Sequence, residues 1–257
     1  MHVYLYDEYV NKKKYDNVLA RIETRITDLG LNGKIIRLGV MKNIGEAVES
    51  EMKRGAKTIV AVGDDRTVNK IINAMIKAEI HSQLSAEIPF GIIPIGKENN
   101  KIADSLGISE AEEAGDVLSA RRIEKLDIAQ AGNHYFLSQA KIESRGTTVE
   151  IGKDYSIEIM ETGEINVINL SVFSNLPENA NPNPQDGVLE LYIKTKGART
   201  LKQFTPQENQ SLFSLKKLTL INKKSSIILD NAIEIATPAE ISVVKKLNII
   251  VGKERKF

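Results

Sequence analysis

Up to about residue 118 the apolar positions of this chain change spacing repeatedly. VYLY (3–6), KIIRL (34–38), TIVAV (58–62) and IPFGIIPI (88–95) are short, uninterrupted and rich in β-branched residues, which predicts strands buried on both faces. Between them three stretches follow the helical period. In the first, Val18, Leu19, Ile22, Ile26 and Leu29 share one face and the pattern stops at Gly30. The second opens on an Asn43-x-x-Glu46 cap and stops at Gly55. The third carries Val68, Ile71, Ile72 and Met75 at helical spacing after a turn on Gly63. Strand and helix in alternation predict a parallel sheet wrapped by helices.

After a short helix that Ser109 and Glu112 are expected to cap, the period drops to two. YSIEIME (155–161), EINVINLSV (164–172), GVLELYIKT (187–195), SIILD (226–230) and LNIIV (247–251) alternate apolar and polar residues between turn signals. The expected fold is therefore an N-terminal parallel-sheet α/β domain, residues 1–120, followed by an antiparallel β-sandwich domain, residues 121–257. The last strands are free to return and pack on the first half. LPENANPNPQDG (176–187) reads as a surface excursion between strands.

Composition narrows the function more than the fold. Thirty-five basic and 34 acidic side chains leave a formal charge of +1, so nothing in the whole-chain charge argues for nucleic acid as a partner. The absence of cysteine excludes a thiolate nucleophile and cysteine-ligated zinc, and it suits a reducing cytoplasm. No run of apolar residues is long enough to span a bilayer, so a cytoplasmic protein with at most peripheral membrane contact is expected. Residues 201–257 hold ten Lys/Arg against five Asp/Glu, a balance more often found on a solvated face than on a lipid-binding one. His2, His81 and His134 are scattered without metal spacing.

Candidate chemistry sits in two loops placed where a wound sheet presents ligands, just past strand carboxyl ends: GDDRT (63–67) and GKENN (96–100). A strand running through glycine into a helix offers backbone N–H groups to an anion. Asp65 is a candidate for metal or proton work, with a helix N-cap as the competing reading. Asp230, followed by Asn231 between two alternating segments, reads first as a hairpin turn. Asn100 is evenly balanced between helix cap and ligand contact.

Taken together, "VGDDRTVNKIINAM" and "IPFGIIPIGKENNKIADSLGI" resemble the diacylglycerol kinase catalytic family, relatives of the sphingosine kinases. That family shows a Gly-Gly-Asp-Gly-Thr loop before a helix with Asn, then Pro-Leu-Gly-Thr-Gly-Asn leading to a helix ending Leu-Gly. The resemblance extends to Asp127, to Asp186-Gly187, and to the closing segment around Asp230 and "ATPAEISVV". It implies a lipid kinase that uses ATP and Mg²⁺ between its domains to phosphorylate a lipid or other small-molecule hydroxyl, with a homodimer as one assembly it allows. Carried over, Gly63, Asp65, Thr67 and Asn69 match the first loop, whereas Asp64 and Arg66 stand where the family has glycine. Gly96 and Asn100 match the second loop with one residue inserted, and Lys97-Glu98 replaces Thr-Gly. Asp230 persists, but the family's following Glu is Ala232. The first strand ends in Tyr6-Asp7-Glu8 in place of the family's Asn-Pro loop.

The resemblance thus implies Asp65 or Asp230 as proton acceptor and Gly63, Asp64, Arg66, Thr67, Asn69, Gly96, Lys97 and Asn100 around the nucleotide, with metal ligands left open. Two other readings stand beside it: a catalytically silent nucleotide- or lipid-binding homologue, and an NAD kinase, which shares a similar first loop.

Overall fold

The computed structural model describes residues 1–39, 43–82, 87–96, 98–152, 155–172, 176–177, 180–196 and 208–257. The chain divides into two units: Met1–Leu126 with Lys246–Lys256, and Asp127–Lys245 with Phe257.

The first unit alternates strand and helix: β1 (His2–Tyr6), α1 (Asp16–Asp28), β2 (Gly33–Arg37), α2 (Ile44–Lys53), β3 (Thr58–Gly63), α3 (Asp65–Ser82), β4 (Phe90–Pro94), α4 (Lys101–Ser105) and α5 (Ala114–Ala120). Its strands are parallel in the order β2-β1-β3-β4. Strands β1, β3 and β4 are buried almost throughout, because both of their faces are covered, and this is why they read as continuous apolar runs. Helix α3 buries Val68, Ile71, Ile72, Met75 and Ile76, each worth about 1.5–3 kcal/mol of transfer free energy. The strand order reverses direction between β1 and β3, which makes the carboxyl ends of these two strands a topological switch point.

One helix start in this unit differs from expectation and another matches it. Helix α5 begins at Ala114 with Glu113 at its N-cap and no side-chain cap bond. Ser109 instead donates to Asp104, and Glu112 is held by Arg21 across from α1. Other partners have claimed both residues that the local pattern assigned to a cap, one five positions back and one 91 positions away. Asn43 does cap α2, accepting from the Gly45 amide at 2.8 Å.

Beyond α5 come β5 (Ile123–Ala131), β6 (His134–Phe136), β7 (Gln139–Glu143), β8 (Thr147–Ile151), β9 (Tyr155–Ile159), β10 (Gly163–Ile168), β11 (Leu189–Lys196), β12 (Glu208–Leu215), β13 (Lys217–Ile221), β14 (Ile227–Leu229), β15 (Ile233–Ile235) and β16 (Ala239–Ile250). In the second unit β12-β11-β10-β7-β14-β15 form an antiparallel sheet, and β9, β8, β13 and the first residues of β16 pair antiparallel in another. Alternate residues of both, among them Ala140, Ile142, Ile165, Val167, Leu191, Leu218, Leu220 and Ile241, fill one core. The end of β16 belongs to the first unit, where Ile249 pairs with Phe90 in parallel.

Candidate active site

Each strand end at the switch point delivers a carboxylate. Asp7 follows β1, with its amide donating to Val62 of β3 at 3.1 Å. Asp64 follows β3 and is the N-cap of α3: its Oδ1 accepts from the Thr67 amide at 3.1 Å, and its carbonyl accepts from Val68 at 3.0 Å. The cap is therefore Asp64, one residue earlier than the Asp65 cap considered from the sequence. A carboxylate at this position also suits the positive end of an 18-residue helix.

The fully buried Thr67 hydroxyl lies 2.9 Å from Asp7 Oδ2 and 3.1 Å from Asp64 Oδ1. Its single hydrogen serves one carboxylate at a time. Asp7 also accepts from the Tyr9 amide and has Lys70 at 3.8 Å. Gly63 has a steric reason to be glycine: a Cβ there would run into the Thr67 side chain. The sequence reading assigned that glycine to phosphate approach, and the close packing of Thr67 by itself accounts for it.

Asp65 is 4% exposed and turned away from this threonine. Its Oδ2 accepts from Lys101 N–H and its Oδ1 from Ile102 N–H, both at 3.0 Å, while its own amide donates to the Asn99 carbonyl at 2.8 Å. It thus caps α4 from 36 residues away. Asn100, at the N-cap position of α4, makes no side-chain cap bond; its Nδ2 donates to the Gly96 carbonyl at 2.7 Å and its Oδ1 is buried with no donor among the described residues. Gly96 has φ +100° and Asn99 φ +62°, so the second loop turns twice through the left-handed region. Arg66 is exposed, and Asn69 is buried against Asn73. The Lys97 expectation lies outside the described residues.

Tyr9, Lys14, Tyr15, Asp64, Ile95, Gly96, Glu98 and Asn99 line a cleft of about 490 Å³ at this mouth. Tyr9 and Tyr15 meet edge to face at 5.9 Å, and the Lys14 ammonium lies 4.6 Å above the Tyr15 ring. The Tyr9 hydroxyl donates to the Ile95 carbonyl at 2.9 Å. Burial first, and then the negative charges of Asp64 and Asp7, push the Tyr9 phenol well above its ordinary value. Asp7, Tyr9, Lys14 and Tyr15 carried no motif; their one sequence signal was their position just after the first strand.

Asp230 lies in the second unit. Asp230 and Asn231 have φ +47° and +53°, the signature of the two-residue turn between β14 and β15 that the sequence suggested. The carboxylate is 1% exposed and accepts from Leu137 N, Ser138 N, Ser138 Oγ and Gln139 N at 2.6–3.0 Å. Asp127 is also fully buried, accepting from the Gly187 amide at 2.7 Å, so the proline-rich segment is tied at its end to β5.

A strand-switch cleft in an α/β unit, followed by an antiparallel β unit, defines an α/β-plus-β protein, and comparison with known families places it. The model of the diacylglycerol kinase catalytic domain matches residues 2–131, and the chain belongs to that family. It is similar to a probable lipid kinase YegS-like protein of Enterobacter sp. (strain 638), 35% identical over 129 residues covering 48% of this chain and 40% of that protein. It is likewise similar to the probable lipid kinase YegS of Shigella flexneri, 31% identical over 140 residues covering 53% and 41%. The matched part spans about two fifths of these relatives. A crystal structure of a diacylglycerol kinase from Bacillus anthracis str. Sterne superposes with a TM-score of 0.75 at 15% identity, covering 98% of this chain and 97% of that one, so the α/β-then-β fold is shared. Among the described residues no helix is long and apolar enough to cross a membrane.

Proposed function

We propose that this chain is a member of the diacylglycerol kinase family that binds a ligand in the β1/β3 cleft and transfers no phosphoryl group. Phosphoryl transfer requires donors aimed at phosphate, a cation with its holders, and a group that takes the acceptor's proton. One observation carries the reading: four amides and the Thr67 hydroxyl at the two loops are turned to partners within the chain. The Thr67 amide goes to Asp64, the Asp65 amide to Asn99, the Lys101 and Ile102 amides to Asp65, and the Thr67 hydroxyl to Asp7 or Asp64.

The triphosphate of ATP does not fit this arrangement. A phosphate brought to the first turn of α3 meets the Asp64 carboxylate where the family carries glycine. Asp7 and Asp64, which share the Thr67 hydroxyl, are hard oxygen ligands of the kind Mg²⁺ takes one or two of beside substrate phosphates and waters; among the described residues no group of three or more Asp, Glu or His stands ready to hold a metal ion by itself. The proton acceptors named from the sequence are engaged as well. Asp65 receives two amides and Asp230 four donors, and Ala232 replaces the acid that follows in the family.

The second reading is the activity implied by the family, transfer of the γ-phosphate of ATP to a lipid hydroxyl; the open cleft at the switch point favours it. Incubating the purified chain with γ-labelled ATP, Mg²⁺ and mixed lipid vesicles separates the two. The non-transferring reading expects no labelled lipid. Labelled phospholipid that disappears in Asp65→Asn overturns it, and label on NAD instead would point to an NAD kinase.

A further inference from the structure

We propose that a pocket in the second unit is a site for a zwitterionic phosphoamine, a molecule carrying a phosphate and a primary ammonium a few bonds apart, with Arg145, Lys223 and Lys224 on the phosphate and Glu158 on the ammonium. The pocket has a volume of about 580 Å³, within the range of small-molecule sites, and every residue lining it lies between Asp127 and Lys245. It shares no residue with the cleft at the switch point, so the inference goes beyond the reading of that cleft.

One buried side chain assembles the basic rim. Asn222, 6% exposed, follows β13; its Nδ2 donates to the Arg145 carbonyl at 3.2 Å and to Thr147 Oγ1 at 2.8 Å, and its Oδ1 accepts from the Lys224 and Ser225 amides at 2.8 and 3.0 Å. The β7–β8 and β13–β14 connections are thereby fastened together, which brings Arg145, Lys223 and Lys224 to one pocket. Glu143 Oε2 accepts from Ser225 Oγ at 3.0 Å and closes the same corner. Glu158 stands apart. It pairs with Thr148 on β8, which pairs with Ile221 on β13, so it lies two strands from the basic connection, about 10 Å at the usual strand spacing. Among the described residues none of these five charged side chains joins an ion pair.

The charges match such a ligand end for end. At the basic corner three cations less the Glu143 carboxylate leave two positive charges, and a phosphate monoester brings about −1.5 to −2 at neutral pH. The Arg145 guanidinium offers that phosphate paired N–H donors, and the two lysine ammonium groups add charge. A simple anion would leave Glu158 facing it across the pocket and repelling it, whereas a primary ammonium on the same molecule turns that carboxylate into an acceptor. Met160, 68% exposed, lines the pocket as well and offers an adaptable apolar contact to the carbons between the two charged groups. The same chemistry is carried by a free phosphoamine and by the headgroup of an aminophospholipid.

NMR titration of the full chain with O-phosphoethanolamine, inorganic phosphate and ethanolamine tests this, on the parent, on Glu158→Gln and on the double variant Lys223→Gln/Lys224→Gln. All three substituted side chains are exposed, and matching thermal melts confirm that the variants fold. O-phosphoethanolamine is expected to move the Gly146, Lys224 and Ser225 amide signals and to bind about fivefold tighter than inorganic phosphate, the scale of one exposed ion pair. Ethanolamine alone should move none of them. In Glu158→Gln the preference over phosphate should vanish, and in the double variant both ligands should weaken by about tenfold, as two charges are removed. Equal affinity for the two in the parent, an unchanged preference in Glu158→Gln, unchanged affinities in the double variant, or no movement of these amides each overturns the inference. Vesicles of phosphatidylcholine, with and without phosphatidylethanolamine, separate the two sources. Pelleting that requires the ethanolamine lipid and fails in the double variant assigns the lipid headgroup, and soluble binding without pelleting assigns the free phosphoamine.

Discussion

Replacing Asp65 by asparagine keeps the side chain's shape and one of its acceptor oxygens while removing its charge. In the native chain the two oxygens accept the first free amides of α4, Lys101 and Ile102, at 3.0 Å each, and the group is almost wholly buried. Asparagine can satisfy one amide; its NH₂ must then face the other, donor against donor. One charge-assisted hydrogen bond is lost, about 1.5–3 kcal/mol, and one buried amide is left without an acceptor, about 1–3 kcal/mol. Because these describe overlapping parts of one event, the expected loss is about 3 kcal/mol. At roughly 2–4 °C per kcal/mol for a body of this size, the first unit should melt some 6–12 °C earlier. Calorimetry measures the shift, and amide exchange localises it: the Lys101 and Ile102 amides should lose protection while those of β3 keep theirs. A proton-accepting Asp65 would behave in the opposite way, with stability little changed and any transfer abolished. A melting point within about 1 °C of the parent's would refute the capping argument, because a shift that small is well under one kcal/mol.

Asp230→Ala should cost at least about 3 kcal/mol in urea unfolding of the second unit, since it leaves the Leu137, Ser138 and Gln139 amides buried without acceptors. Asn231→Gly should instead be neutral or stabilising by up to about 1 kcal/mol, because its φ of +53° is one that glycine adopts without steric cost. Alkaline pH should unfold the chain more readily than its net charge suggests. Burial raises Tyr4 to about 12 and also holds Tyr6 and Tyr9 above the ordinary value of 10.0. Their raised folded values contribute stability that is complete below pH 10 and is lost as pH climbs above it, so Tyr9→Phe should flatten the alkaline limb of a stability-against-pH curve.

The sequence made the first unit legible wherever burial was two-sided. VYLY, TIVAV and FGIIP are continuous apolar runs because β1, β3 and β4 are covered on both faces, and the stripe at Val68, Ile71, Ile72 and Met75 marked α3 directly. What escaped was set by distant partners. α4 is five residues long and starts where Asp65 reaches it, so no local cap announces it. β12 carries Glu-Asn-Gln-Ser in its first half and is exposed over much of its length, so polarity concealed a strand. LNIIV revealed only the end of β16, whose twelve residues are largely half-exposed before Leu247. At the site the two-glycine departure was visible, but the sense in which Asp64 acts depended on seeing its oxygen on the Thr67 amide. The turn at Asp230-Asn231 was legible from its two residues, and its grip on residues 137–139 was not, being some 90 positions away in the chain.

The segment after β1 is strapped on both sides, by the Tyr9 hydroxyl to Ile95 and by Asp7 to Thr67. If the cleft binds a ligand as proposed, a receptacle braced in this way has little freedom left to surrender when a guest arrives, so affinity there would be governed by contact quality more than by ordering. Entry should then run near the encounter rate for a small molecule, and differences among guests should appear in how long each one stays.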